Sequence, residues 1–296
     1  MFKNNSRYLF LLTLLLTLPF SISCSESATD NNDSNNPNDS QENGEIPFND
    51  EDKEWVLVWS DEFDADSLDM SKWSYQFGTG REIGLTGWGN NELQYYTDRE
   101  ENVRVEDGKL HITAQQELYE GAQHTSARIR TINKGDWTYG RIEVLAKLPQ
   151  GQGIWPAIWM LPTRDDPVWP RDGEIDIMEL VGHEPATVHG TVHYGTDWPD
   201  HQYKGDSYTL EEGIFADDFN LFAIEWKMNE IKFFVNDIHY YTVTQATTQG
   251  YQYPFNNRFH LIMNLAVGGN WPGSPNASTE FPQSMIVDYV RVYQLQ

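Results

Sequence analysis

The sequence predicts an all-β fold, and three observations carry that reading. Apolar residues recur with a period of two, turn-forming residues punctuate them at short intervals, and no long segment carries the i, i+3, i+4, i+7 stripe of an amphipathic helix. Lys109-Leu110-His111-Ile112-Thr113-Ala114 alternates, and so do residues 141–148. Alternation sends successive side chains to opposite faces of a strand. Asp107-Gly108 lies between Val103-Arg104-Val105 and Leu110-His111-Ile112 and has hairpin chemistry, since this pair tolerates positive φ. Asn229-Glu230 and Asn236-Asp237 separate further short runs that end with Tyr240-Tyr241-Thr242-Val243. Residues 285–295 alternate over their whole length and form the last strand. About a dozen short strands with Gly, Pro and Asn between them make a sandwich, a jelly roll or a barrel. Residues 54–296 are long enough to be one large β domain. No internal repeat is visible.

Composition narrows the function. The 296 residues hold 45 acidic and 20 basic side chains, for a formal net charge of −25. A nucleic-acid binder needs a basic footprint to meet phosphates, and none is present. A wholly disordered acidic chain would lack aromatics; this chain has 11 Trp, all beyond residue 54. Residues 51–296 carry 38 of the acidic and 18 of the basic residues, so the acidity belongs to the folded part. One Cys excludes an intramolecular disulfide.

Residues 1–24 read as an export signal. Lys3 and Arg7 precede an apolar, Leu-rich run at 8–20, and Ser21-Ile22-Ser23-Cys24 follows. The run is too short to span a bilayer, which takes about 20 residues. The single Cys at its end resembles a lipoprotein cleavage site, with Cys24 as the lipidated residue. Position −3 departs from that pattern, being Ser21 rather than Leu. An ordinary signal peptide with an incidental Cys is the competing reading. Residues 25–53 are rich in Asn, Asp, Ser and Glu with almost nothing to bury, which predicts a disordered acidic tether. The expected product is exported and either lipid-anchored at a bacterial cell surface or secreted.

The sharpest chemical feature is Asp172-Gly173-Glu174-Ile175-Asp176-Ile177-Met178-Glu179-Leu180. In a regular strand, Glu174 and Asp176 share one face, while Glu179 joins Ile175 and Ile177 on the other. That would bury a charge in the core, which is costly. A β-bulge near Ile177-Met178 returns Glu179 to the face of Glu174 and Asp176. Three crowded carboxylates raise at least one pKa. This supplies one ionised carboxylate and one protonated acid, the pair a glycosidase uses. A solvent-exposed acidic strand is the bland alternative, against which the interleaved Ile175, Ile177 and Leu180 require a buried face. Upstream, Trp155 and Trp159 stand four residues apart in Gly153-Ile154-Trp155-Pro156-Ala157-Ile158-Trp159 and share a strand face. Indole rings on an open sheet face suit sugar rings; burial in the core is the other reading for either one.

The Glu174-Ile-Asp-Ile-Met-Glu179 motif, preceded by the Trp155-Pro-Ala-Ile-Trp159 strand, resembles the signature of glycoside hydrolase family 16. Further blocks follow the family's order: Trp59-Ser-Asp-Glu62-Phe, Gly87-Trp88-Gly-Asn-Asn91-Glu92-Leu-Gln-Tyr-Tyr, His189-Gly-Thr-Val-His193-Tyr-Gly, Asn264-Leu-Ala-Val-Gly-Gly-Asn-Trp271-Pro-Gly and Val287-Asp288-Tyr-Val-Arg-Val-Tyr293. The resemblance implies a β-jelly-roll sandwich with a concave substrate cleft and retaining endo-hydrolysis of β-linked polysaccharides. Glu-x-Asp-x-x-Glu is the bulged version of the motif, found in laminarinases, agarases and carrageenases. The Gly87–Glu92 block looks specifically like laminarinases, the endo-1,3-β-glucanases. Negative charge also weighs against a sulfated polyanion. A mixed-linkage glucan or agarose is the alternative substrate. A non-catalytic glycan-binding jelly roll is the alternative class, and it would show degraded carboxylates; all three are intact.

By the same resemblance, Glu174 is the nucleophile, Glu179 the acid/base and Asp176 the assistant that hydrogen-bonds the nucleophile. Retention requires the two carboxyls about 5–5.5 Å apart. Trp155 and Trp159 are expected as stacking walls, with Trp271 as a platform on the other side. Trp88 and Asn91 are expected to line the non-reducing-end subsites. His193 is placed near the acid/base or is structural, and Arg130 reaches sugar hydroxyls or is a surface cation, with Arg128 as its equal in parity. The family also implies a structural Ca²⁺ away from the cleft, held by positions matching Glu62, Gly108 and Asp288. Oxygen donors suit that hard cation, and Asp288 interrupts an apolar strand. No catalytic cofactor is expected, and the enzyme is expected to be a monomer. Residues 165–171 and 196–206 are rich in Pro, Asp and Trp and are expected to be loops beside the cleft.

Overall fold

The computed structural model describes residues 53–296. The export signal, Cys24 and the tether, apart from its last residue Lys53, lie outside the described residues. Among the described residues, no helix is long and apolar enough to cross a membrane.

Strands dominate. In chain order they are β1 (Trp55–Asp61), β2 (Ser74–Gln76), β3 (Gln94–Tyr96), β4 (Val103–Glu106), β5 (Lys109–Tyr119), β6 (Ala122–Ser126), β7 (Arg128–Arg130), β8 (Asp136–Trp137) and β9 (Gly140–Lys147). There follow β10 (Ile154–Pro162), β11 (Glu174–Glu179), β12 (Thr187–Gly195), β13 (His201–Thr209), β14 (Asn220–Lys227), β15 (Glu230–Val235), β16 (Ile238–Thr244), β17 (Phe259–Val267) and β18 (Gln283–Leu295). Only three short 3₁₀ turns interrupt them among the described residues.

The strands form two sheets of a sandwich. One runs β16-β15-β14-β9-β18-β5-β6-β3, with β1 on β18 and β4 on β5. The other runs β13-β12-β11-β10-β17-β7-β2, with β8 on β17. Local chemistry sets the hairpins. Asp107 and Gly108 take φ of 52° and 68°, joining β4 to β5 as the Asp-Gly signal predicts. Asn236 and Asp237 do the same for β15 and β16, with φ of 50° and 62°. The turn after β14 falls one residue earlier than its sequence signal, on Met228-Asn229, because Lys227 pairs with Glu230.

Alternation decides the layers. β9 alternates buried and half-buried along its length, and Ile142, Val144 and Ala146 point into the core. From the facing sheet come Ile158, Met160, Ile175, Ile177 and Met178, all buried in the same cluster. Each such side chain contributes about 1.5–3 kcal/mol by leaving water. The last strand departs from the unbroken alternation expected of it. Its register on β9 shifts between Val287 and Tyr289, so Met285 and Val287 are buried before the bulge, and Val290 and Val292 after it. Asp288 sits at the shift, where a charge leaves the alternation without entering the core.

Two of the three positions expected to hold calcium, Glu62 and Asp288, face cationic side chains. Arg291 Nε and Nη2 donate to Glu62 Oε1 and Oε2 at 3.0 and 2.8 Å, which holds that carboxyl below its ordinary pKa. Lys109 Nζ stands 3.4 Å from Asp288 Oδ1.

Candidate active site

β11 lies between β10 and β12 in the second sheet, and its register breaks where the motif demands. Asp176 faces Trp159 on β10 and Met178 faces Ile158, leaving Ile177 as the extra residue. On β12, Asp176 faces Thr191 and Glu179 faces His189, again three residues against two. Ile177 and Met178 both go to the core, at 2% and 0% exposure. Glu174, Asp176 and Glu179 therefore emerge on the same face. The bulge costs one unpaired residue and avoids burying a carboxylate among isoleucines.

The carboxylates are held by indole donors. Trp155 Nε1 donates to Glu179 Oε1 at 3.1 Å, and Trp169 Nε1 donates to Glu174 Oε2 at 3.1 Å. His193 Nε2 stands 3.1 Å from Asp176 Oδ2 and 3.8 Å from Glu174 Oε1, and its Nδ1 shares a 2.7 Å hydrogen bond with His201 Nε2.

Burial dominates the electrostatics of all three acids. Burial first, then the Asp176 charge, pushes Glu174 up to about 8, while His193, Arg128 and the Trp169 hydrogen bond oppose the rise. Burial also lifts Asp176 to about 8. Burial and the charges of Asp176 and Glu174 push Glu179 well above the ordinary carboxylate range, with His193 and Trp155 opposing. Each glutamate has one indole donor and feels His193, and Arg128 opposes the rise at Glu174 alone of the three acids. Carboxyls gathered on one face, in a setting that favours the protonated form, can supply the proton donor and the nucleophile that acid-assisted displacement at an acetal carbon needs.

Several expected binding residues take other places. Trp88 is not a free wall: it is buried at 8% exposure, donates from Nε1 to the Gly78 carbonyl at 3.3 Å, and is covered by Arg128. Arg128 is the arginine that enters the site. Its guanidinium lies 4.4 Å from the Trp88 ring and 4.6 Å from the Trp159 ring, and its Nε donates to Gln76. Arg130 is half-buried opposite Ile262, with a buried Nε that has no protein partner. Trp159 faces the site with Nε1 donating to Asn264 Oδ1 at 2.7 Å.

Trp271 does not stand across from Trp155. It meets that ring edge-on at 5.8 Å and the His189 ring at 4.9 Å, on the Glu179 side. Asn91 belongs to the same end, its Nδ2 donating to Asn270 Oδ1 at 2.7 Å. His193 lies opposite Glu174, and His189 takes the place opposite Glu179. The expected loop at 196–206 ends at Asp200, because β13 begins at His201.

Sequence reasoning passed over Trp169, Trp198 and His201. Trp169 stacks near His201 at 4.6 Å and Trp198 at 5.9 Å, making an aromatic rim on the Glu174 side. The available signal was the pair of Trp-Pro steps in the two flagged loops. Among the described residues, Glu174, Asp176 and His193 are also the one group with metal-ligand geometry; Glu174 already has an indole partner and His193 an imidazole partner.

Comparison with known proteins places this geometry. The model for glycosyl hydrolases family 16 matches residues 90–291. A β-glucanase of Rhodothermus marinus is 49% identical over 254 residues, covering 81% of this chain and 85% of that protein. Glucan endo-1,3-β-glucosidase A1 of Niallia circulans is 44% identical over 261 residues, covering 81% of this chain but 38% of the longer relative. The laminarinase catalytic domain of Thermotoga maritima superposes with a TM-score of 0.76 at 45% identity, covering 81% of this chain and 98% of that one.

Proposed function

The chain belongs to glycosyl hydrolases family 16, and on that premise we propose that it cuts β-1,3-glucosidic bonds within laminarin-like glucans by retaining double displacement. The observation that carries the proposal is the bulged β11, which puts Glu174, Asp176 and Glu179 on one face and surrounds them unequally. Glu174 attacks the anomeric carbon while Glu179 gives its proton to the departing oxygen, so the glycosidic bond breaks as the glycosyl ester forms. Glu179 then takes a proton from water. That water attacks the same carbon and releases Glu174, restoring both protonation states. Asp176 hydrogen-bonds the nucleophile and holds the charge balance with His193. Trp155 and Trp159 present faces to the sugar, and Asn91 and Trp271 extend the surface on the Glu179 side.

The test is reducing-end release by the purified domain from laminarin, lichenan, agarose and carrageenan. Laminarin is expected to be cut fastest. Release from agarose with none from laminarin would sink the β-1,3-glucan reading.

Three properties complete the proposal. The enzyme works as a monomer, which light scattering checks. Cys24 is lipidated and anchors the exported enzyme to the cell surface; Cys24→Ser is expected to move the protein from the membrane pellet to the soluble fraction, and unchanged pelleting would remove the anchor. A structural Ca²⁺ is held by Glu62, the Gly108 carbonyl and Asp288. The oxygen donors suit that ion, and binding requires Glu62 to exchange Arg291, and Asp288 to exchange Lys109, for the metal. Calcium is then expected to raise the melting temperature and a chelator to lower it by several degrees, as expected for binding only to the native state. No shift with either would show that the two cationic side chains do the ion's work.

A further inference from the structure

Two separate segments hold the nucleophile Glu174. Trp169, in the loop before β11, donates from Nε1 to its Oε2 at 3.1 Å. His193, on β12, brings Nε2 to 3.8 Å from its Oε1 and 3.1 Å from Asp176 Oδ2. Attack is efficient only from a narrow range of geometries, so whatever fixes these two side chains also governs the carboxylate between them.

His201 touches both. Its Nε2 shares a 2.7 Å hydrogen bond with His193 Nδ1, and the two ring planes differ by 20°. A neutral imidazole has one donor and one acceptor nitrogen, so this bond forms with either ring as the donor. The Trp169 ring packs on His201 with centroids 4.6 Å apart. Trp198 and Tyr203 are the outer members of the cluster, at 67% and 66% exposure, while His201 is half-buried.

The hairpin between β12 and β13 makes this contact possible. His201 faces Gly195 in the register, and His193 faces Tyr203. His201 and His193 are therefore diagonal neighbours on one face, within reach of long side chains. Gly195 sends no side chain between them. Its φ of 152° and the closeness of the Asp200 carbonyl leave no room for one. The turn into His201 is pinned at Asp200, which accepts from Thr196 Oγ1 at 2.8 Å and Tyr251 OH at 2.9 Å. It is also joined to the Trp169 loop. Arg171 Nη1 stands 3.1 Å from Asp197 Oδ1, and Pro170 and Asp197 form an isolated β-bridge.

We propose that His201 is a positioning residue for the nucleophile: its bond to His193 and its packing on Trp169 hold both neighbours of Glu174 together. The proposal rests on the reading of Glu174 as nucleophile. His201 acts through those two side chains and takes no part in the bond changes itself.

The test is steady-state kinetics on laminarin with two variants. His201→Phe keeps a ring against Trp169 and removes the hydrogen bond. His201→Gln places an amide where Nε2 stands. His201→Phe is expected to lower kcat roughly 10–100-fold, the scale of a small misplacement of reacting groups. Its KM is expected to stay within a few-fold, which also shows that the variant is folded. His201→Gln is expected to recover most of the loss. On an aryl glucoside whose leaving group needs no proton, the first step is expected to slow by the same factor, because a nucleophile is still required. Adding His201→Phe to His193→Ala is expected to cost little more, since residues in one network are not additive. Wild-type kcat in His201→Phe would overturn the proposal, and so would equal losses in His201→Phe and His201→Gln. A raised KM at unchanged kcat would make His201 a sugar contact instead. A full multiplicative loss in the double variant would show that His201 does not act through His193. The nucleophile reading fails by a different result, turnover in Glu174→Ser, and that result would take this proposal with it.

Discussion

Glu174→Ser lowers kcat on laminarin by roughly 10⁴-fold or more, the scale on which removal of one catalytic side chain disables a group that acts as a unit. That is about 5.5 kcal/mol of transition-state stabilisation. Ser is too short to reach the anomeric carbon from the Glu174 position and too weak a leaving group for the second step. Oligosaccharide affinity stays within a few-fold, because Trp155 and Trp159 are anchored independently, by Glu179 and Asn264. Turnover and binding must therefore separate. Single-turnover kinetics with calorimetric binding checks this, and wild-type turnover in the variant would remove Glu174 as nucleophile. The loss of the Trp169 partner is not a competing explanation, since Trp169 also packs on His201.

The second large effect couples catalysis to stability at Glu179. Glu179→Gln removes the proton donor while keeping size and a hydrogen-bond acceptor for Trp155. Activity on laminarin is expected to fall by roughly 10²–10⁴-fold, the range of general acid catalysis. Activity on an aryl glucoside whose leaving group needs no proton should fall much less in the first step. The same substitution should stabilise the free domain in alkaline solution. Glu179 keeps its proton in the folded state far above 4.5, whereas the unfolded chain releases it near that value. The folded state then binds more protons, so stability is present in full below about pH 4.5 and is lost as pH rises toward the folded pKa. Glu174 and Asp176, pushed up to about 8, act in the same direction. The unfolding free energy of the free domain is expected to fall between pH 5 and pH 8, with a slope of up to about 1.4 kcal/mol per pH unit for each proton held, and its melting temperature falls with it. Glu179→Gln removes one such proton, flattening the slope and raising stability at pH 8. A parallel fall in the variant and the parent would show that Glu179 is not the group held protonated.

Much of this site was legible before the tertiary structure. The spacing of Glu174, Asp176 and Glu179 against Ile175 and Ile177 forces a choice between a buried charge and a bulge, and the cost of the charge selects the bulge. Asp107-Gly108 and Asn236-Asp237 fix their hairpins because a two-residue turn of matching twist needs positive φ at both positions. These are local constraints, and a local reading recovers them. Asp288 shows the limit of that reading. Its interruption of an apolar run was visible, but the bulge that accommodates it emerges from pairing with β9, 140 residues away in the chain.

What the sequence by itself determined is the all-β class, the strand that bears the acids and the face they share, because strand periodicity and the cost of burying charge act over a few residues. Only the tertiary structure decided which aromatic and cationic side chains surround those acids. Trp88 became the buried partner of Arg128, Trp271 moved to the Glu179 side, His193 went to Glu174 and His189 to Glu179. Trp169 entered as a donor to Glu174. Those outcomes depend on the register between β11 and β12 and on which loops the sandwich brings over the sheet. Contacts of that kind join residues far apart in sequence, where no period or spacing carries the information.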